Sequence, residues 1–281
     1  MKKLLVTGAS GFLGSRIVEY YKEKFEILAP SHSEMDITNE EEVACIFNKN
    51  KPNIVIHCAA ISDVGRCEKE PERSWKINVD GCINIAKAAA DISAKCIICS
   101  SDQVYFGSVV TGAHSEEEAL RPFNLYGREK LTAEQKCLEV NADCVLLRLS
   151  WMYDTRTMNT AEHGDFMRTL LQNMELGKML SYPIHDVRGI TSAHEVVRNL
   201  EKAIELPGGV YNFGSPNDRS TYDTVYEVFT KLGLDVSRLQ KNEDAFRDNP
   251  RNISMNQDKI NKYGIRFSTT ENGLMLALRI N

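Results

Sequence analysis

The chain has 281 residues, a length that fits one large domain or two modest ones. Its composition, 42% hydrophobic and 26% charged, is typical of a soluble globular protein. The formal net charge of -5 argues against a nucleic-acid-binding surface, and no apolar run approaches the ~18 residues of a membrane span. We therefore expect neither nucleic acid nor membrane as a partner, and we allow for a homodimer.

Eight cysteines are spread along the chain without a regular pattern. Cys96 and Cys99 have the spacing of a zinc half-site, but no second Cys pair or His pair completes four ligands. The run around them, Lys95–Ser100, has the pattern of a buried strand. We expect buried free thiols, no metal, and a reducing cytoplasm as the compartment.

The first half of the chain alternates short apolar runs with helical patterns. We predict strands at 3–7, 26–29, 53–57, 95–99 and 144–149, and helices at about 11–22, 39–48, 71–90 and 122–140. Strands that alternate with helices indicate a parallel sheet covered on both faces. With right-handed crossovers, the prediction is an α/β, Rossmann-type doubly wound fold.

The second half has a looser pattern, with helices near 166–176, 192–205, 222–232, 256–263 and 272–278 and short strands near 179–182 and 209–213. The strand at 209–213 is placed to return to the main sheet. We predict a dinucleotide-binding Rossmann domain of residues 1–154 with 187–213. Residues 155–186 with 214–281 then form a small substrate-binding lobe, and the cleft between the two is the predicted site.

A glycine-rich turn follows the first predicted strand, in the run Thr7-Gly8-Ala-Ser-Gly11-Phe-Leu-Gly14. Gly8 allows a tight turn, Gly11 lets main-chain N–H groups approach a pyrophosphate, and Gly14 allows helix and strand to pack closely. The positive end of the following helix adds to phosphate binding. In this βα context the run predicts a dinucleotide site.

The end of the second strand bears on which dinucleotide binds. NAD-selective sites place an acidic residue there, on the ribose 2′-hydroxyl. This chain has Ser31 and His32 at that point, and the first carboxylate comes at Glu34. A carboxylate would repel a 2′-phosphate, so its absence favours NADP(H), with NAD(H) as the second possibility. His32 is equally compatible with a solvated loop.

Tyr126 and Lys130 lie four residues apart in a predicted helix and therefore share one face. The free phenol has a pKa of ~10, and a nearby ammonium favours its ionised form. Surface helices also produce this spacing by chance. The pair gains weight from the glycine turn and from the serines at 100 and 101, which end the fourth strand.

Five motifs in order give the chain a family resemblance. They are the glycine turn, Cys58-Ala59-Ala60, Asn78-Val-Asp, Ser100-Ser101-Asp102 and Tyr126-x-x-x-Lys130. The chain resembles the extended short-chain dehydrogenase/reductase superfamily. Within it, Met35-Asp36-Ile37-Thr38, Ser100–Gly107, Asn124–Lys130 and Leu147–Tyr153 most resemble the dTDP-4-dehydrorhamnose reductases. The similarity is good over about residues 1–155 and loose beyond.

The resemblance implies an NAD(P)H-dependent oxidoreductase acting on a nucleotide-linked 4-keto-6-deoxy sugar. Tyr126 would be the general acid, Lys130 would lower the tyrosine pKa and bind the nicotinamide ribose, and Ser101 would bind the same carbonyl oxygen. Trp151 would face the sugar nucleotide, and we add Asp102 to the substrate side. The implied cofactor-binding residues are Gly8, Ser10, Gly11, Phe12, Leu13, Ser31, Asp36, Ile37, Cys58, Ala59, Ala60, Tyr126 and Lys130.

Two loops depart from the reductase pattern. The usual Val-Asp-x-Ala-Glu reads Val64-Gly-Arg-Cys-Glu68, and the later Asp-Gln-x-Gly-x-Pro-Thr reads Asp186-Val-Arg-Gly-Ile-Thr-Ser192. We expect Arg188 or Arg251, with Arg66, to meet an anionic substrate group; each is equally compatible with a solvated arginine.

Two alternative functions remain open at this point. One is a nucleotide-sugar epimerase or dehydratase that retains NAD. The other is a non-catalytic NADP-binding subunit, like the regulatory β subunit of methionine adenosyltransferase.

Overall fold

A computed structural model of the protein describes residues 1–156, 158 and 165–280. Its centre is a sheet of six parallel strands in the order β2-β1-β3-β4-β5-β10. The strands are β1 (Lys3–Thr7), β2 (Glu26–Leu28), β3 (Ile54–His57), β4 (Lys95–Ser101), β5 (Val145–Leu149) and β10 (Gly209–Phe213). The predicted α/β doubly wound fold is confirmed, including the return of Gly209–Phe213 to the sheet.

Helices cover both faces of this sheet because its strands are apolar on both sides. One face packs on α1 (Phe12–Tyr21) and α8 (Ala193–Ala203). The other packs on α2 (Glu40–Asn50), α5 (Gly81–Asp91) and α6 (Leu125–Val140). The strand order reverses between β1 and β3, so the carboxyl ends of these two strands open a crevice there.

The segment predicted as one long helix over 71–90 is helical throughout but has three parts. After a separate short helix, α3 (Val64–Lys69), the helix α4 (Pro71–Trp75) leads without a break into a π-helical turn at Lys76–Asp80, and α5 follows. Such wide turns recur at functional sites because they redirect a side chain within a helix. Asn78 lies in the turn, and its contacts are described below.

A third apolar cluster lies beyond β5. It joins α7 (Phe166–Glu175), α9 (Thr221–Leu232) and α11 (Thr270–Ile280) with β7 (Leu180–Pro183) and β11 (Leu239–Asn242). The proposed division into a Rossmann domain and a lobe stays a prediction, and residues 157 and 159–164 at its boundary lie outside the described residues.

Short strand pairs complete the second half: β7 with β11, β6 (Trp151–Tyr153) with β9 (Ile190–Ser192), and β8 (Asp186–Val187) with β12 (Arg251–Asn252). A short helix, α10 (Asp258–Asn261), precedes α11. Within the described part of the chain, no helix has the length and apolar character needed to cross a membrane.

Candidate active site

The glycine turn after β1 brings the main chains of two strands into contact. Gly8 has φ +64°, and a Cβ there would lie 2.7 Å from the main-chain nitrogen of Ala59. A Cβ on Gly14 would lie 2.1 Å from the carbonyl oxygen of Gly8. Helix α1 therefore packs against the turn only because residue 14 has no side chain. Gly11 is the N-cap and offers no side-chain cap, so the first turn of α1 presents N–H groups to the crevice.

A cavity of about 810 Å³ extends from this turn toward the ends of β2 and β3. It is lined by most of the predicted cofactor residues: Gly8, Ser10, Gly11, Ser31, Asp36, Ile37, Cys58, Ala59 and Ala60. His32 also lines it, with Met35, Arg73 and Lys76, which the sequence patterns did not single out. The space and the glycine-lined wall fit an extended dinucleotide.

A carboxylate lies close to Ser31 in the turn after β2. The main-chain N–H and the hydroxyl of Ser31 both donate to Glu34 Oε2, each at 2.8 Å. These two hydrogen bonds lower the pKa of Glu34. Ser31 lines the cofactor cavity, and Glu34 is not among its lining residues.

A second cavity of about 690 Å³ continues from the first and shares Ser10, Gly11, Cys58, Ala60 and Ile61 with it. The remaining predicted residues line this second cavity: Phe12, Leu13, Ser101, Asp102, Tyr126, Lys130 and Trp151. The two cavities form one continuous cleft along the carboxyl ends of β1, β3 and β4.

Ser101, Tyr126 and Lys130 come together in the second cavity. Ser101 ends β4, and α6 places Tyr126 and Lys130 in its first turns, with Asn124 accepting a capping bond from the Gly127 N–H at 2.6 Å. The Lys130 Nζ donates to the Cys99 carbonyl at 3.0 Å and lies 5.7 Å from the centre of the Tyr126 ring. All three side chains are buried.

Burial raises the pKa of Tyr126, while the Lys130 ammonium and the Ser101 hydroxyl lower it by less. Lys130 thus acts in the expected direction, but burial has the larger effect. At neutral pH the phenol keeps its proton, which is the state a general acid requires.

A buried polar network ties the catalytic helix to the cofactor wall. Asn78 Oδ1 accepts from the Ile61 N–H at 2.9 Å, and its Nδ2 donates to the Ile61 carbonyl at 3.0 Å and to Glu129 Oε2 at 2.7 Å. Glu129 lies in α6 next to Lys130 and also accepts from the Ser74 hydroxyl. Asn78 therefore fixes the main chain at Ile61.

Two buried ion pairs stand on the far side of the second cavity. Arg188 Nη2 donates to Asp102 Oδ2 at 3.1 Å, and its guanidinium carbon lies 4.9 Å from the centre of the Trp151 ring. Arg251 donates to both oxygens of Asp186, at 2.7 and 3.0 Å. Burial raises the pKa of Asp102, and Arg188 opposes that rise.

The three arginines predicted to meet an anionic group differ in their surroundings. Arg251 is engaged by Asp186, and Arg66 bonds Glu70 at 3.1 Å with about half of its side chain exposed. Arg188 is 8% exposed, and its Nε has no hydrogen-bond partner among the described residues. Of the three, Arg188 has the surroundings that most favour a ligand contact. Sequence reasoning missed its pairing with Asp102 because the two residues lie 86 positions apart.

Known proteins resemble this chain over most of its length. The dTDP-4-dehydrorhamnose reductase of Aggregatibacter actinomycetemcomitans is 28% identical over 82% of this chain and 79% of its own. Methionine adenosyltransferase 2 subunit beta of Pongo abelii is 26% identical over 94% and 83%. The crystal structure of a dTDP-4-dehydrorhamnose reductase from Bacillus anthracis, in complex with NADP, has a TM-score of 0.87 at 24% identity and covers 100% of both chains.

These similarities confirm the resemblance predicted from the motifs, since they extend beyond residue 155 into the second half. The RmlD substrate binding domain family matches residues 1–279. The chain belongs to this family, a branch of the extended short-chain dehydrogenases/reductases.

Proposed function

We propose that this protein reduces the 4-keto group of a nucleotide-linked 6-deoxy sugar with NADPH. The observation that carries the proposal is the convergence of Ser101, Tyr126 and Lys130 in a cavity that continues from the dinucleotide-sized cavity beside the glycine turn. Its reductase relatives, such as the one from Aggregatibacter actinomycetemcomitans, support the same chemistry.

The site has the groups that ketone reduction needs. When bound, the cofactor supplies a hydride to the carbonyl carbon, and negative charge then develops on the carbonyl oxygen. Tyr126 gives its proton to that oxygen, and Ser101 stabilises it with a second hydrogen bond. Lys130, held by the Cys99 carbonyl, keeps a positive charge beside the phenol as it loses its proton.

The residues at the cofactor end suit NADP(H), and NAD(H) is the second candidate. Ser31 and His32 line the cavity after β2, and the basic residues Arg73 and Lys76 line the same cavity. The Bacillus anthracis reductase was crystallised with NADP, which supports this choice. The N–H and the hydroxyl of Ser31 now donate to Glu34. For Ser31 to bind a 2′-phosphate through these groups, both hydrogen bonds to Glu34 must break.

At the substrate end, Trp151 and Arg188 are the proposed recognition pair. The Trp151 ring is 39% exposed and offers an apolar face to a sugar ring. Arg188 lies against that ring and lines the same cavity, so its guanidinium is the proposed donor to a polar or anionic group of the nucleotide sugar. Asp102 holds Arg188 in this position.

We also propose a cytoplasmic location, because all eight cysteines are free thiols. A homodimer stays a prediction.

The test is a spectrophotometric assay. Purified protein is mixed with NADPH and a freshly generated dTDP-4-keto-6-deoxy sugar, and NADPH absorbance is expected to fall. Tyr126→Phe should lower turnover by roughly 10²–10⁴-fold, the usual contribution of positioned proton transfer. Tyr226→Phe, at an exposed tyrosine, is the matched control.

Other outcomes separate the alternative functions. Tightly bound NAD with no net oxidation would indicate an epimerase or dehydratase. Firm NADPH binding without any turnover would indicate a binding subunit, the role suggested by the name of the Pongo abelii relative. Unchanged turnover in Tyr126→Phe would rule out the proposed acid.

A further inference from the structure

Two cysteines face each other across neighbouring strands at the floor of the cleft. The Sγ atoms of Cys58 and Cys99 are 3.6 Å apart. Strand register pairs His57 with Ile98, so the two cysteines occupy the next pair of positions. Neighbouring strands are about 4.8 Å apart, inside the range of about 4.4–6.8 Å that a disulfide spans between Cα atoms. The strand spacing is therefore compatible with a disulfide, which forms when small shifts of the side chains and of the main chain that carries them bring the two sulfur atoms to bonding distance.

Both cysteines border the cleft. Each residue is partly exposed, and both line the cavity that holds Tyr126 and Lys130. Cys58 also lines the cofactor cavity. A small oxidant that enters the cleft therefore comes next to this pair.

We propose that Cys58 and Cys99 form a reversible oxidation site that reacts with hydroperoxides and closes to a disulfide, which inactivates the enzyme.

The chemistry takes two steps and needs only the hydroperoxide. The Cys99 thiolate attacks the peroxide, so that an S–O bond forms, the O–O bond breaks, and an alcohol or water leaves. The sulfur has then lost two electrons to the peroxide and is a sulfenic acid. Cys58 attacks that sulfur, an S–S bond forms, the S–O bond breaks, and hydroxide leaves as water with the Cys58 proton. An external dithiol reverses the change.

The local charges favour Cys99 as the attacking group. The hydrogen bond from Cys58 lowers the pKa of the Cys99 thiol, the nearby Lys130 ammonium adds to this effect, and burial opposes it. The same hydrogen bond raises the pKa of Cys58. The thiolate is the reactive form, and Cys58 is placed to resolve the sulfenic acid.

The disulfide would disturb both ends of the site. Lys130 Nζ donates to the carbonyl oxygen of Cys99, and Cys58 adjoins Ala59, which packs against the Gly8 turn. Displacing these main-chain groups by ~1 Å is expected to lower turnover on the order of a hundredfold. This consequence rests on the proposed function, whereas formation of the disulfide does not.

The chain offers an internal control with the same cross-strand arrangement. Register pairs Ile97 with Val145, so Cys96 and Cys144 also occupy opposed positions, and the neighbouring Cys96 thiol raises the pKa of Cys144. This pair lies in the core, with exposures of 1% and 0%. We expect it to stay reduced under conditions that oxidise the cleft pair.

The experiment treats the folded full-length protein with hydrogen peroxide, alkylates the remaining thiols, and maps linked peptides by mass spectrometry. A Cys58–Cys99 linked peptide that dithiothreitol removes is the expected result. Cys99→Ala and Cys58→Ala should each abolish it, and Cys45→Ala, at an exposed cysteine, should not. Oxidation confined to Cys45, or equal linkage of Cys96 with Cys144, would overturn the proposal.

Activity is followed in the same samples, each variant against its own untreated value. Wild-type turnover should fall with disulfide formation and return with dithiothreitol, while Cys99→Ala should resist. A disulfide that forms with full activity retained would overturn the inactivating role. If the untreated protein has no reductase activity, the function proposal fails, and the peptide map still decides the oxidation site.

Discussion

The two ends of the cleft are built in different ways. At the cofactor end, strand ends, a glycine turn and the first turn of α1 present mostly main chain and small side chains. At the substrate end, the wall consists of long side chains held by buried ion pairs, Arg188 with Asp102 and Arg251 with Asp186.

This difference explains why the cofactor end could be predicted from sequence more completely than the substrate end. A main-chain site depends on local geometry, which glycine spacing encodes within a few residues. A site made of ion pairs depends on partners far apart in the chain, since Asp102 and Arg188 are joined only by folding. The cofactor end should therefore be most sensitive to an added side chain at a glycine, and the substrate end to the loss of one partner of an ion pair.

The largest effect is expected from Gly14→Ala. The new Cβ would lie 2.1 Å from the Gly8 carbonyl oxygen, so the turn and α1 must separate. We expect loss of NADPH binding by calorimetry and a stability loss of roughly 1–3 kcal/mol, typical of overpacking. Gly112→Ala is the control, because a Cβ there meets no atom within 4 Å among the described residues. NADPH binding at wild-type strength in Gly14→Ala would contradict the main-chain account of this end.

At the substrate end, Arg188→Met should destabilise the protein by roughly 3–5 kcal/mol in urea unfolding, because it leaves Asp102 buried without its partner. Burial already raises the pKa of Asp102, and loss of Arg188 raises it further. A carboxyl whose pKa is raised on folding destabilises the folded protein once the pH is high enough to ionise it in the unfolded chain. The stability that Arg188→Met loses relative to wild type should therefore grow as pH rises.

Two further variants sharpen this measurement. Adding Asp102→Asn to Arg188→Met should recover part of the lost stability, since no charge then remains unpaired. Lys136→Met breaks an exposed pair with Glu139 and should cost no more than ~1 kcal/mol. If Arg188→Met lost no more unfolding free energy than Lys136→Met, the buried ion pair would not be what stabilises the substrate end of the cleft.

Beneath the cofactor end, His57 should make stability depend on pH. Its Nδ1 lies 2.6 Å from the Thr7 hydroxyl, and burial lowers its pKa to about 3. Between pH ~6.5, the ordinary histidine value, and about 3, the unfolded chain holds a proton that the folded protein lacks. The contribution of the neutral His57 to the unfolding free energy is therefore fully present above pH ~6.5. It falls on acidification, by up to ~1.4 kcal/mol per pH unit.

The difference between wild type and His57→Gln isolates this effect from carboxylates that titrate in the same range. The slope of unfolding free energy against pH should be shallower in the variant, while His194→Gln, at an exposed histidine, should leave it unchanged. Equal slopes in all three proteins would show that His57 takes up its proton over the same pH range in the folded and unfolded states, which would contradict the lowered pKa.

The smallest effect is expected from Glu34→Gln. The charged Glu34 carboxylate lies on Ser31, where a 2′-phosphate is proposed to bind, so its removal should improve NADPH binding several-fold and leave NADH nearly unchanged. Dissociation constants of the two cofactors measure this, with Glu41→Gln as the control. A gain for NADH alone would place the 2′-phosphate elsewhere.

Much of the fold and the cofactor end could be predicted from sequence. The alternation of strands and helices gave the parallel sheet, and the glycine run, Cys58-Ala59-Ala60 and the Tyr126–Lys130 pair all line the cleft. Two details at this end were not predicted, the π-helical turn at 76–80 and the hydrogen bonds from Ser31 to Glu34, and both are details of local hydrogen bonding in the fold. Propensity and spacing do not encode such contacts.

The sequence by itself determined the architecture and the carbonyl chemistry, because both rest on local periodicity and on residues a few positions apart. Only the tertiary structure decided the state of the groups in the cleft. Burial affects the pKa of Tyr126 more than Lys130 does. Asp102 forms an ion pair with Arg188, and the thiols of Cys58 and Cys99 are in contact. Desolvation and long-range pairing depend on which surfaces come together, and a linear pattern does not contain that information.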